Sequence, residues 1–176
     1  MAEFRHETER LVLRDWREGD WDPFWDGTNT PEVMRWLGGV CDKEKRLDAQ
    51  HRLLSYERDH GHTFWCLERK SDGAILGFCG LKRCNQQGGP VGMMEVGWRL
   101  REDAWGKGYA KEAAMASLNL AFERFEAEEV VALTVEGNTP SWGLMKRLGM
   151  RRREDLDFDN ADFDPAFGVV GARYRF

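Results

Sequence analysis

No stretch of these 176 residues is apolar for long enough to cross a bilayer, no signal-peptide pattern opens the chain, and no two of its four cysteines stand at CxxC spacing. That pattern argues against a membrane-spanning protein, a secreted disulfide scaffold and a zinc ribbon. Cys41, Cys66, Cys79 and Cys84 instead suit a soluble, reducing, cytoplasmic setting, and three of them lie in strand-like apolar or mixed stretches. Histidine is scarce as well. His60 and His62 could share a strand face, but no third ligand is spaced to complete a zinc site, and His6 and His51 read as exposed, so no metal is expected. Excess positive charge is also missing. A net charge of −5 argues against a nucleic-acid binder that draws its affinity from neutralising phosphates. With no internal repeat and no low-complexity linker, a chain that is 41% hydrophobic is expected to bury one core and form a single domain over residues 1–176.

The order of elements is that of an α+β protein. "ERLVLRDW" (9–16) begins as a strand, and the Trp-, Pro- and Gly-rich segment after it carries two short helix starts. "DKEKRLDAQHRLLSYERDHG" spaces Leu47, Leu53, Leu54 and Tyr56 as a helix does, with Gly61 placed to stop it. "HTFWCLERKSDGAILGFCGLKRC" reads as an antiparallel hairpin turning at Ser71, Asp72 and Gly73. "MMEVGWRL" is a further strand, and Ala110, Ala113, Ala114, Leu118, Ala121, Phe122 and Phe125 then form one helical face. "VVALTVE" is a β-branched strand, "NTPSWGLMKRLGM" a short helix ended by Gly149, "RREDLDFD" an alternating strand, and "VVGARYRF" a terminal strand.

One helix start holds the functional question. "WGKGYAKEAAMASLNLAFERF" opens on Gly106, Lys107 and Gly108 with no acidic residue before Glu112. The first amides of a helix have no internal partner, and the dipole there favours an anion. A P-loop does not fit, because Gly108 follows Lys107 and Arg101 stands where the leading glycine belongs; a GxGxxG motif fails at Lys111.

The segment "MMEVGWRLREDAWGKGYAKEA", followed by "VVALTVEGNTPSWGLMKRLGM", resembles the core of the GCN5-related N-acetyltransferase superfamily, and most closely its branch of ribosomal-protein N-terminal acetyltransferases. The likeness is clearest from Glu95 to Met150. The family loop runs Gln or Arg, two variable residues, Gly, one variable residue, then Gly or Ala; here the window is Trp105, Gly106, Lys107, Gly108, Tyr109, Ala110, with Trp105 the departure. Asn138, Ser141, Met145 and Gly149 fall at the spacing of the family's second signal. The resemblance implies a mostly antiparallel twisted sheet of about seven strands flanked by helices, with two strands splayed at the cofactor site. It implies acetyl-CoA as co-substrate, with the backbone of Trp98, Arg99 and Leu100 along the pantetheine arm, Gly106 to Lys111 (Gly106, Lys107, Gly108, Tyr109, Ala110, Lys111) around the pyrophosphate, and Asn138 on the cofactor arm.

Acetyl transfer from a thioester to an amine needs a neutral amine, a donor for the developing oxyanion and a proton for the departing thiolate. By resemblance, Glu95 is the general base; the plainer reading is a carboxylate facing solvent or paired with an arginine. A lysine amine costs about 4 kcal/mol to deprotonate at neutral pH and an α-amine about 1 kcal/mol, so one modest carboxylate suits an α-amine. The resemblance gives the oxyanion to a backbone amide between Val96 and Trp98, with Gly97 at the irregularity. Many relatives protonate the thiolate with a Tyr where this chain has Met145, which leaves Ser141 as the donor, although "NTPS" also reads as a helix cap.

The acceptor is expected to be an amine-bearing small molecule or a protein N-terminus. Trp16, Trp21, Trp25 and Trp36 interleave with Asp15, Asp20, Asp22 and Asp26, and "EDLDFDNADFD" puts Asp155, Asp157 and Asp159 on one strand face. Such a lip would attract a cation; equally, the tryptophans are packing and the aspartates a solvated edge. Arg151, Arg152 and Arg153 form a basic run nearby. A non-catalytic acyl-CoA-binding module is the alternative that Met145 keeps open, and a homodimer is compatible with the fold.

Overall fold

The computed structural model describes residues 3–159 and, as backbone, the strand at 169–174. The elements are β1 (Arg5–Glu7), β2 (Leu11–Arg14), α1 (Trp21–Thr28), α2 (Pro31–Met34), α3 (Lys43–His60), β3 (Phe64–Arg69), β4 (Ile75–Arg83), β5 (Met94–Leu100), α4 (Tyr109–Glu123), β6 (Val130–Val135), α5 (Thr139–Arg147), β7 (Arg151–Arg152) and β8 (Val169–Tyr174). One sheet runs β1-β2-β3-β4-β5-β6-β8-β7 and is antiparallel except where β5 meets β6. Eight strands form it, counting the short β1 and β7.

Local chemistry sets several boundaries. Asp42 Oδ1 accepts from the Lys45 amide at 2.9 Å to start α3, and Gly61, in the left-handed region at φ 71°, ends it. Of the apolar residues spaced along α3, Leu53 is buried while Leu47 and Leu54 face outward. The β3–β4 turn is fixed by Asp72, which takes the Arg69 guanidinium at 2.6 Å and the Ala74 amide at 3.2 Å.

The sheet separates two packed layers. On one face α4 lies close, because Ala113, Ala114, Ser117 and Ala121 are fully buried against β2, β4 and β5. On the other, α1 and α3 cover an aromatic layer in which Trp16 stacks on Trp21 at 4.2 Å and Phe64 on Phe78 at 5.0 Å.

One expected strand is absent. "RREDLDFD" pairs with β8 only as far as Arg152, after which Glu154–Leu156 coils into a 3-10 turn and Phe158 makes an isolated bridge. Short-range ion pairs explain it: Arg153 grips Asp155 at 2.5 Å and Arg152 grips Asp157 at 2.7 Å, which curls the backbone back instead of extending it. Residues 160–164 of that acidic tail, and Arg175 and Phe176 of the terminal strand, lie outside the described residues.

A second carboxylate contact gives the fold a pH dependence. Burial, and then the neighbouring carboxylate of Asp15, pushes the carboxyl of Glu57 on α3 up from 4.5 to about 8. Glu57 therefore keeps a proton in the folded chain where the unfolded chain has released it. Its contribution is fully present below pH 4.5 and is lost as pH rises through about 8. Thermal melts should fall in midpoint between pH 5 and 8.5, and Glu57→Gln should flatten that slope; an unchanged slope would show that Glu57 does not carry the proton.

Candidate active site

The sheet opens at one place. β5 and β6 pair only at Met94 with Val130 and at Glu95 with Val131. Beyond those residues β5 stays on β4 as far as Leu100, and β6 stays on β8 as far as Val135. The facing edges of 96–100 and 132–135 are left without a strand partner. A gap past the carboxyl ends of two adjacent parallel strands is where open sheets receive ligands. Here α4 follows β5 and α5 follows β6, so both helices begin at its mouth.

The loop into α4 is built to present amides. A 3-10 turn (Glu102–Ala104) leads to Trp105, whose Nε1 donates to the Leu100 carbonyl at 2.9 Å and ties the loop to the strand end. Leu100, expected along a cofactor arm, therefore already lends its carbonyl to the loop. Gly106 and Gly108 both take left-handed backbone, at φ 70° and 81°. Among the described residues, no amide from Gly106 to Lys111 donates to an acceptor, and the start of α4 has no side-chain cap. The loop is braced from behind. Arg10 donates Nη1 to the Lys107 carbonyl at 2.9 Å and Nε to Glu112 at 2.7 Å, and its guanidinium lies 4.6 Å from the Tyr109 ring centroid. Thr8 Oγ1 donates to Glu112 at 2.6 Å as well, and these bonds hold the Glu112 carboxyl below its ordinary range despite its burial. The Lys107 side chain is turned back onto the Asp103 carbonyl at 2.8 Å, so it is the backbone here that faces the gap.

Glu95 stands at the last paired step of the fork, buried on the α1/α3 face. Its Oε2 lies 3.1 Å from Lys82 Nζ, directly across the β4–β5 register, and accepts from the Cys84 thiol at 3.6 Å. Lys82 also donates to Asn85 Oδ1 at 2.9 Å, and Asn85 donates to the Tyr56 hydroxyl at 2.9 Å. The partner is thus a buried lysine, not the arginine or solvent of the plainer reading. Next along this face is Gly97, where an added Cβ would meet the Phe64 ring at 2.6 Å, and then Arg99.

On the β6 side, Asn138 and Ser141 are half-buried in the first turn of α5. Asn138 makes no cap hydrogen bond, and among the described residues neither side chain has a hydrogen-bond partner. Met145 is 1% exposed and packed into the core beside Leu144 and Leu148.

Residues 10–151 match the family model described as the acetyltransferase (GNAT) domain. The chain belongs to the GNAT acetyltransferase family. It is an enzyme of that family, whose members transfer acetyl from acetyl-CoA to amines. The N-acetyltransferase YnaD of Bacillus subtilis is 30% identical over 146 residues, covering 82% of this chain and 81% of its own. An acetyltransferase of Agrobacterium tumefaciens superposes with a TM-score of 0.83 at 25% identity, covering 100% of this chain and 96% of its own. In fold alone, the chain is also like spermidine N-acetyltransferase of Vibrio cholerae, solved with CoA and spermine, at a TM-score of 0.74 and 15% identity over 95% of this chain and 96% of that one.

Within the GNAT frame, the loop into α4 and the start of α5 follow the diverging ends of β5 and β6. The acidic lip fares differently. Asp20 is locked in a buried pair with Arg14 at 2.7 Å, Asp15 accepts the Phe4 amide at 2.7 Å, and Asp155 and Asp157 are held by arginines. Of the lip, Asp22 and Asp26 stay exposed on α1, and Asp155 and Asp159 stay exposed on the tail. Trp16 and Trp25 are core residues, which bears out the packing alternative. Lys82, Arg10 and the Arg99 side chain were missed by the sequence reading. The hairpin register facing Lys82 to Glu95 was the signal for the first; nothing local marked the other two. Among the described residues, no group of three His, Cys, Asp or Glu side chains is placed to hold a metal, and no helix is long and apolar enough to cross a membrane.

Proposed function

We propose that this GNAT enzyme transfers acetyl from acetyl-CoA to a primary amine by direct attack with both substrates bound, the whole chain acting as one domain. The observation that carries the reading is the strand fork, whose unpaired β5 edge runs up to a series of amides with no acceptor. That cradle fits a pyrophosphate, since small residues at 106, 108 and 110 let an anion approach the backbone. Trp98, Arg99 and Leu100 would hold the pantetheine arm through their backbone, Gly106 to Lys111 the pyrophosphate, and Asn138 the arm from the β6 side. Acetyl-CoA bound there supplies the thioester.

Glu95 takes the proton from the attacking amine, directly or through water. Lys82 holds that carboxylate in place, its Nζ 3.1 Å from Oε2. A backbone amide between Val96 and Trp98 meets the negative charge that develops on the attacked carbonyl oxygen. Ser141 passes a proton to the departing thiolate, a task closed to the buried thioether of Met145. The likeness to the ribosomal-protein branch concerns the cofactor half of the molecule; the acceptor is a separate matter, because one fold serves many substrates.

Calorimetry with acetyl-CoA tests the cradle, and free-thiol release across N-terminal peptides, amino acids and polyamines, with mass spectrometry of the products, tests the reaction. Ser141→Ala should cut kcat by about 10–100-fold with little change in KM for acetyl-CoA. Unchanged kcat would remove Ser141 from the mechanism, and absence of acetyl-CoA binding would remove the mechanism itself.

A further inference from the structure

Half-buried Arg99 differs from the buried lysine and arginine of the described residues, which have carboxylates: Arg14 has Asp20 and Glu68, and Lys82 has Glu95. Arg99 has none. Its Nε is buried without a hydrogen-bond partner, and no carboxylate among the described residues lies within ion-pair distance of its guanidinium. The charged neighbour that bears on it is Arg52, which repels it. Burial accordingly pulls its pKa down to about 10, still leaving it charged at neutral pH.

Strand alternation decides where a missing anion must come from. Trp98 and Leu100 face the α4 layer, whereas Arg99 lies between Phe24 of α1 and Phe78 of β4, 5.9 and 5.1 Å from their ring centroids. The phosphate-sized cradle leads into α4 on the opposite face, so coenzyme phosphates are not the natural partner of this guanidinium. Arg99 shares its face with Glu95 and Gly97, and its Cα is two residues, about 7 Å, beyond Gly97. Trp25 Nε1, in the same aromatic cluster, is a second buried donor with no acceptor.

We propose that Arg99 binds a carboxylate of the acceptor, which makes the acceptor a small amino carboxylate, such as an amino acid, with its amine at the fork. The inference rests on the acetyl-transfer reading above. It replaces the cationic acceptor that an acidic lip suggested.

Matched pairs test it: free amino acids against their α-amides, with spermine as a cationic amine, in the thiol-release assay. The free acid of the best pair should exceed its amide in kcat/KM by at least about tenfold, the worth of one charge-assisted pair. Arg99→Gln should collapse that ratio toward one, chiefly through KM of the acid, and Arg99→Lys should restore part of it. Equal or better turnover of amides or spermine by the unmodified enzyme overturns the assignment while leaving acetyl transfer intact. If acetyl-CoA neither binds in calorimetry nor is consumed, the acetyl-transfer reading itself fails and this inference with it. The comparison on the unmodified enzyme holds whether or not the Arg99 variants fold.

Discussion

Glu95→Gln is expected to lower kcat by about 10²–10³-fold, the worth of a positioned general base, and to destabilise the protein at the same time. The second effect follows from burial. Glu95 and Lys82 are each 8% exposed in their side chains and 3.1 Å apart, so removing the carboxylate charge strands an ammonium with only Asn85 and the face of Tyr56 beside it. Breaking a buried pair from one side costs about 3–5 kcal/mol, whereas replacing both partners with groups of similar shape is often neutral. Loss of activity in the single variant is therefore ambiguous between chemistry and unfolding. The double variant Lys82→Met/Glu95→Gln separates them: urea unfolding should return most of the lost stability, and thiol release should stay depressed. Wild-type turnover in a stable double variant would show that Glu95 serves only the fold. Lys82→Met alone completes the cycle. It should strand the Glu95 carboxylate without its cation and cost a similar amount of stability in urea unfolding.

The cofactor half of the site was legible in the sequence because its determinants are local. Left-handed glycines at 106 and 108, small residues along α4 and the Pro-containing start of α5 all sit within a few residues of the groups they position. The same holds for Gly61 ending α3 and for the turn at Asp72 and Gly73. The acceptor half depends on distant pairs. Arg10 and Glu112 meet across 102 residues, and whether Arg99 has a partner depends on what α1 and α3 bring over it. No pattern along β5 separates an arginine that will find a carboxylate from one that will not. The acidic tail shows the opposite error. Its alternation of aspartate with Leu156 and Phe158 matches a strand, but arginines two to five residues upstream capture the aspartates and coil the segment. Period-two hydropathy is a weak signal when the polar members can pair locally with opposite charge.

Gly108→Val should raise the Kd for acetyl-CoA by about 100-fold while changing kcat little, because three costs meet at that position. At φ 81° and ψ 0° the residue occupies left-handed backbone that a β-branched side chain adopts at about 1–3 kcal/mol. A Cβ there would stand 3.3 Å from Arg10 Nη2, on the guanidinium whose Nη1 braces the Lys107 carbonyl and whose Nε holds Glu112. Moving Arg10 tilts the loop, and the misaimed amides lose bonds to an anion, each worth about 1.5–3 kcal/mol; forfeiting one or two of them gives the stated loss. Gly106 supplies the contrast. Its backbone is also left-handed, at φ 70°, yet a Cβ there has nothing within 4 Å, so Gly106→Ala should cost only the backbone term, about 1–2 kcal/mol of stability, and weaken binding far less. Calorimetry on both variants, with melts to confirm the fold, decides the point. Equal losses would mean that backbone conformation alone shapes the cradle. A large loss confined to Gly108, partly relieved by Arg10→Ala, would mean that the brace behind the loop sets the aim of its amides.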